Sequence, residues 1–301
     1  MITADRSSRR RATAIGLLAI VMWAGLALLT DMTGGVPPFQ LAAMSFAVGA
    51  LVGLPWLRTG GGIAGLPHDW RVWLLGIGGL FGYHFLYFTA LRNAPAVEAS
   101  LIAYLWPLLI VVGSALLPGE RLGAHHVAGA LMGLAGAVVI VTRGGGLSLD
   151  PQHAFGHAMA GLCALTWAAY SLLSRRFAAA PTSAVAVFCA ATALLSLACH
   201  IALETTVWPA DGGQWLAVLG LGLLPVGAAF YVWDHGVKRG DIQILGASSY
   251  AAPLLSTLAL VAAGRATADW RVALACLLIA GGAALAARDM LFARRTLAKA
   301  A

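Results

Sequence analysis

Tyr83, His84 and Tyr87 stand close together in an apolar stretch, preceded by Gly76 and Gly79. Spacings of three and four put these glycines and tyrosines on one face of a helix. Glycine lets a neighbouring helix approach closely, and the phenols beyond it offer aromatic surface with a polar tip. Tyr104, Trp106 and Pro107 form a second group, and Ser249, Tyr250 and Pro253 a third. Each proline lacks the N–H that would bond four residues back, which frees the carbonyls of Ala103 and Ser249. Free carbonyls can receive an ammonium group, and aromatic faces add cation–π attraction. Trp167, Tyr170, Ser171, Tyr231 and Ser248 complete the set. This is equipment for holding a small molecule reversibly.

Covalent and metal chemistry find no comparable equipment. Gly246-Ala247-Ser248-Ser249 is a run of small residues, and no apolar stretch supplies the matched histidine or His-Glu set that a nucleophile or a zinc site needs. His153 and His157 have chelating spacing but straddle a helix start and lack a third ligand, and the adjacent His125 and His126 point to different faces. No catalytic residue, metal or cofactor is expected. The four cysteines all fall inside apolar runs and read as free thiols.

The elements that must position the aromatic groups follow from composition. Of 301 residues, 60% are hydrophobic and 10% charged, with a mean hydropathy of +0.84. A water-soluble domain carries roughly 25% charged residues, so lipid must be the solvent of most of this surface. A spanning helix needs about 20 residues at 1.5 Å each. Runs of that size lie near 12–31, 36–57, 70–91, 96–117, 124–142, 157–177, 183–203, 214–236, 242–263 and 270–287. The expected fold is an all-α integral membrane protein with ten transmembrane helices.

The net charge of +7 sits at the ends of the runs. No basic face interleaved with aromatics suits nucleic acid. If the N-terminus is cytoplasmic, fifteen of the 19 Lys and Arg residues fall on that side, against Arg92, Arg143, Arg265 and Arg271 on the other. That asymmetry places both termini in the cytoplasm of a multi-pass inner-membrane protein. Arg6, Arg9, Arg10 and Arg11 then anchor an uncleaved first helix rather than a signal peptide.

The chain also repeats itself. At an offset of 146, Arg92 meets Lys238, Tyr104 meets Tyr250, Pro107 meets Pro253 and Gly136 meets Gly282; at 144, Trp23 meets Trp167. Each half, 1–146 and 147–301, holds five runs, and five is odd, so the second half enters the membrane from the opposite side. Two inverted copies around a central cavity suit alternating access to a solute held near the midplane.

The segment Tyr104-Leu105-Trp106-Pro107-Leu108-Leu109, followed by Gly119-Glu120-Arg121-Leu122 and a glycine-rich run, resembles the drug/metabolite transporter superfamily of the EamA type. Within it the resemblance is to aromatic amino acid exporters of the YddG type. The resemblance covers nearly the whole chain. It implies two inverted five-helix bundles, a cavity lined by helices 1, 3, 4, 6, 8 and 9, and export of amino acids or related metabolites. The second half departs from it: Ala266 and Thr267 stand where Glu120 and Arg121 have their counterparts. The Glu120-Arg121 pair is therefore expected to cap a helix or bridge a loop within the first half alone.

These residues predict a carrier of amino acids, aromatic and other neutral ones, or of related small metabolites, out of the cytoplasm by alternating access. Its expected cavity residues are Tyr83, His84, Tyr87, Tyr104, Trp106, Pro107, Trp167, Tyr231, Ser249, Tyr250 and Pro253, with Asp234 as a candidate gate or, with His235, a capping pair. Asp31, Glu98 and Asp234 lie near span ends, and no carboxylate sits mid-span, which favours facilitated diffusion or exchange over tight proton coupling. His84 alone titrates at depth, as a proton carrier or as a hydrogen-bonded cavity residue. The alternatives are a carrier of a nucleotide-sugar, drug or other metabolite and, further off, an intramembrane enzyme. No Lys or Arg lies mid-span, which disfavours phosphorylated solutes. The expected partners are an amino-acid-like small molecule and the bilayer; a monomer is compatible with the sequence.

Overall fold

The computed structural model describes residues 2–59, 62–142, 150–262, 264, 267 and 269–289. Arg143, Arg265, Arg294, Arg295 and Lys299, part of the charge asymmetry, and Ala266 lie outside them. Among the described residues the chain is helical throughout, with no strand. Among the described residues seven helical segments are long and apolar enough to cross a membrane: Ser7–Met32, Trp70–Asn93, Ala96–Leu116, Ala124–Thr142, Thr182–Leu203, Gly212–Arg239 and Ile242–Ala262. Pro38–Val52 and Trp270–Ala286 are shorter apolar helices, and Ala154–Ser174 has 21 residues. Large apolar side chains face outward along them, Ile201 at 75% and Leu277 at 73% exposure. Water would not tolerate that surface; lipid requires it. The protein is a multi-pass membrane protein.

Several spans are interrupted. The helices in chain order are α1 (Ile2–Ala24), α2 (Leu26–Met32), α3 (Pro38–Val52), α4 (Leu54–Thr59), α5 (Trp70–Ile77), α6 (Tyr83–Asn93), α7 (Ala96–Ala103) and α8 (Trp106–Gly113). They continue with α9 (Ala124–Thr142), α10 (Ala154–Ser174), α11 (Val185–Leu203), α12 (Gly212–Leu223), α13 (Ala229–Arg239), α14 (Ile242–Ser248), α15 (Ala251–Ala262) and α16 (Trp270–Ala286). A widened π turn joins α5 to α6 over Gly78–Gly82, and another joins α12 to α13 over Leu224–Ala228, so the two begin and end 146 residues apart. Pro225 withholds one ladder hydrogen bond in the second. The first holds three glycines and no proline. The break between α7 and α8 at Tyr104-Leu105 is matched by one between α14 and α15 at Ser249-Tyr250.

The helices pack across the two halves of the chain: α1 on α13, α6 on α10, α3 on α11, α8 on α14 and α9 on α16. At the α9–α16 crossing, a Cβ on Gly129 would fall 2.5 Å from the Gly282 carbonyl oxygen, and one on Gly282 2.5 Å from that of Gly129. Only glycine permits this approach. The main core gathers Phe46, Trp106, Trp167, Phe230 and Trp233, and a smaller one Val111, Tyr250 and Ile279.

The two ends of the bundle are held differently. At one, buried Glu120 accepts from Arg9 at 2.8 Å and Arg175 at 2.6 Å, Arg9 reaches Asp241 at 3.1 Å, and Arg175 donates to the carbonyls of Val237 and Gly240. His125, close to Glu120 in the chain, lies 3.3 Å from Asp289, so the end of α16 reaches the same end of the bundle as Arg9. At the other end, buried Glu204 accepts from Arg92 at 2.6 Å, His200 at 3.0 Å and the backbone N–H groups of Phe39 and Gln40. The expectation for Glu120 is thereby corrected. It bridges one residue of the first half to one of the second, because packing brings the start of α1 and the end of α10 to the same loop.

Candidate functional site

Where the interrupted helices meet, a cavity of about 140 Å³ opens between the halves. Tyr83, His84 and Tyr87 on α6 form one wall, Ala103, Tyr104 and Trp106 at the α7–α8 break another, and Trp167 on α10 a third. Trp23, Leu26, Pro225, Val226, Phe230 and Ala252 close the remainder. No lining side chain carries Lys, Arg, Asp or Glu. Selectivity must come from ring quadrupoles, dipoles and shape.

The polar groups are few and oriented. His84 Nδ1 lies 2.7 Å from the Leu80 carbonyl, which can only accept, so Nδ1 carries the proton and Nε2 is left as acceptor. Its ring meets Phe46 edge-on at 4.9 Å and Tyr83 at 5.2 Å, which fixes the imidazole against the wall. Tyr83 and Tyr87 stack with centroids 6.0 Å apart and planes 12° from parallel, the spacing expected of neighbours one turn apart. Tyr87 Oη shares a hydrogen bond with Ser100 Oγ at 3.1 Å. Ala103 also lines the cavity, and its carbonyl loses the bond that Pro107, having no N–H, cannot donate.

Exposure falls along the cavity. Leu26 is exposed and Tyr83, His84, Tyr87 and Tyr104 are partly buried, while Trp106, Trp167 and Phe230 are buried. Beneath them Trp23, Trp106, Trp167 and Trp233 lie in mutual contact, every pair of centroids between 5.1 and 6.3 Å. Trp23 Nε1 donates to the Pro225 carbonyl and Trp233 Nε1 to Ser171 Oγ, both at 3.1 Å, so these indoles meet the membrane interior with their donors satisfied. The tryptophans and the Arg9–Glu120–Arg175 bridge close the cavity toward the end of the bundle that holds Arg9.

Six of the eleven residues proposed from sequence line this cavity: Tyr83, His84, Tyr87, Tyr104, Trp106 and Trp167. The other five lie outside its lining. Tyr250 is fully buried against Gly133, and its Oη accepts the Leu108 N–H at 3.2 Å, tying one broken helix to the other. Ser249 Oγ donates to the Leu245 carbonyl, and the Ser249 carbonyl, expected to be free, receives the Ala252 N–H at 3.1 Å. Tyr231 donates to the Gly49 carbonyl and packs on Trp56. Pro107 and Pro253 are buried; their breaks, through Trp106 and Ala252, shape the wall. Asp234 is buried away from the lining, accepting from Lys238 at 2.9 Å and Thr182 at 2.7 Å, and its partner is Lys238, not His235. His157 pairs with Glu98 at 2.8 Å, and no metal-holding cluster is found among the described residues.

Sequence reasoning missed Trp23, Pro225 and Phe230 as lining. The repeat held the signal for Trp23, which aligns with Trp167. Pro225 falls 146 residues after Gly79, where the π turn recurs.

The profile of the EamA-like transporter family matches residues 11–142 and again 154–288. The aromatic amino acid exporter YddG of Ancylobacter novellus is 57% identical over 290 residues, 96% of this chain and 100% of that one. Proteins of the same name from Salmonella typhimurium and Escherichia coli are 28% and 26% identical, covering 82% and 92% of this chain and 87% and 97% of theirs. A solved crystal structure with 57% sequence identity superposes with a TM-score of 0.88, over 93% of this chain and 99% of that one. Matched along both halves, the protein belongs to the EamA-like transporter family.

Proposed function

We propose that this protein is a secondary transporter that carries amino acids, aromatic and other neutral ones, out of the cytoplasm by alternating access. The observation that carries the reading is the uncharged, aromatic-walled cavity between the halves, less buried at its Leu26 end than at its tryptophan end. On this reading ten transmembrane helices form two inverted five-helix repeats, residues 1–146 and 147–301. The family match to each half, the π turns 146 residues apart and the helix breaks 145 residues apart support it. The Lys and Arg excess argues that the end bearing Arg9 is cytoplasmic, so the conformation described faces outward.

Size and chemistry narrow the solute. A dry cavity of about 150 Å³ accommodates benzene, whereas sites for drug-sized ligands run to roughly 300–1,000 Å³. At about 140 Å³ the cavity takes an aromatic or small aliphatic side chain, and a whole amino acid requires it to widen. A zwitterion's ammonium meets the faces of Tyr83, Trp106 and Trp167, the Ala103 carbonyl and His84 Nε2. The names of the relatives point to the same solutes. Purified protein in proteoliposomes is expected to exchange labelled phenylalanine, tryptophan and small neutral amino acids well above protein-free vesicles. Rates should change little when a pH gradient is imposed, because no carboxylate lines the cavity. Folded protein that moves no amino acid across a broad panel would overturn the proposal.

A further inference from the structure

On the outer wall, α5 and α10 bound a groove of about 760 Å³, several times the size of the central cavity and lined by different residues. Arg71, Leu74 and Gly78 line one side at helical spacing; Thr166, Ala169, Leu173 and Arg176 line the other. Both arginines stand at the same end, the end of the bundle where neighbouring Arg175 bonds Glu120. From Thr166 to Arg176 is about 15 Å at 1.5 Å per residue, the depth of one leaflet of a roughly 30 Å hydrocarbon layer. The groove therefore runs from headgroup level to near the midplane. Exposed Trp70, with the Arg71 guanidinium 5.9 Å from its ring, marks the headgroup level.

The two arginines are exposed, and neither forms an ion pair among the described residues. At the apolar end, a Cβ on Gly78 would meet nothing within 4 Å, so the floor is open. Tyr170 also lines the groove; its Oη is buried without a hydrogen-bond partner. The second half does not repeat the residues of the groove's α5 side. At the repeat offset Arg71 becomes Ala217, and Gly78 and Gly79 become Leu224 and Pro225. The groove belongs to this place and not to bundle geometry in general.

We propose that it binds one anionic phospholipid, with an acyl chain along Leu74, Gly78 and Thr166 and the phosphodiester between Arg71 and Arg176. Guanidinium groups suit a phosphate because their N–H donors pair with its oxygens in a fork. Tyr170, which shares the groove lining with Gly79, packs on that glycine and lies 5.2 Å, ring to ring, from Trp167 in the cavity wall. A seated chain thus presses one aromatic layer behind the solute.

The test is native mass spectrometry of the full-length protein in an equal mixture of phosphatidylglycerol and phosphatidylcholine with the same chains. Each arginine near a charged headgroup contributes roughly fivefold in affinity, so wild type should retain phosphatidylglycerol roughly twentyfold over phosphatidylcholine. R71Q and R176Q should each lose about fivefold, and the double variant should retain the two lipids almost equally. G78L, which places its side chain in the open floor, should lose both lipids at an unchanged Tm. Glycerol phosphate should not displace the bound lipid. Equal retention by wild type, undiminished preference in the arginine variants, or displacement by glycerol phosphate would each overturn the proposal.

Discussion

His84 and Tyr250 show how little a residue type says until its partners are known. Both are polar rings expected from sequence to line a cavity, yet His84 reaches it and Tyr250 is spent on the Leu108 N–H. Replacing His84 by Leu removes a side-chain hydrogen bond of about 1 kcal/mol and the cavity's one imidazole acceptor. Solute flux at matched levels of folded protein should fall tenfold or more. Tyr250→Phe leaves the part-buried Leu108 N–H unpaired, which costs about 1–3 kcal/mol when burial is complete and less here. Its thermal transition should drop while flux per folded molecule stays near wild type. Flux in proteoliposomes alongside a melting curve separates the two, and the opposite pattern would exchange their roles.

At the scale of the helix, glycines divide by what they face. Gly282 meets the Gly129 backbone, whereas a Cβ on Gly78 has open space around it. Valine at 282 would have to part α9 from α16, and overpacking of this kind costs typically 1–3 kcal/mol or more. Gly282→Val should therefore lower the thermal midpoint clearly, while Gly78→Ala leaves it unchanged or slightly raised. Equal effects would mean that close approach does not hold this crossing. The helix breaks tell a similar story. Pro107 and Pro253 mark them in the sequence, but the π turn at Gly78–Gly82 has no proline, and only its spacing from Leu224–Ala228 identifies it as the same device.

Over the whole molecule, one carboxylate holds each end together. Glu120 joins Arg9 to Arg175 at the sealed end, and Glu204 joins Arg92, His200 and the start of α3 at the other. Removing one partner of a buried pair strands the other charge, a loss of about 3–5 kcal/mol when burial is complete and less here, where Arg9 is partly exposed. Glu120→Gln should speed amide hydrogen exchange at Gly240 and Asp241 by tenfold or more and leave Phe39 and Gln40 unchanged. Glu204→Gln should do the reverse. Uniform acceleration in both variants would show that the ends are not independently held. On the proposed inverted repeat, this asymmetry also explains why symmetry mates part company. Tyr87 and Tyr104 are partly buried in the cavity wall, while their counterparts Trp233 and Tyr250 are fully buried.

The sequence by itself determined the solvent, the class of fold, the aromatic character of the site and the spacing at which the chain repeats. These follow from composition and periodicity, which every residue carries locally. It also placed Tyr83, His84, Tyr87, Tyr104, Trp106 and Trp167 in the groups that meet at the cavity. Only the tertiary structure decided which of two repeated residues faces that cavity. It alone brought Glu120 to Arg175, opened a groove beside Gly78, and turned Tyr231, Ser249 and Asp234 inward to partners of their own. Such choices depend on helix crossings and on which end of the bundle is closed. Neither is a property of a residue and its neighbours in the chain.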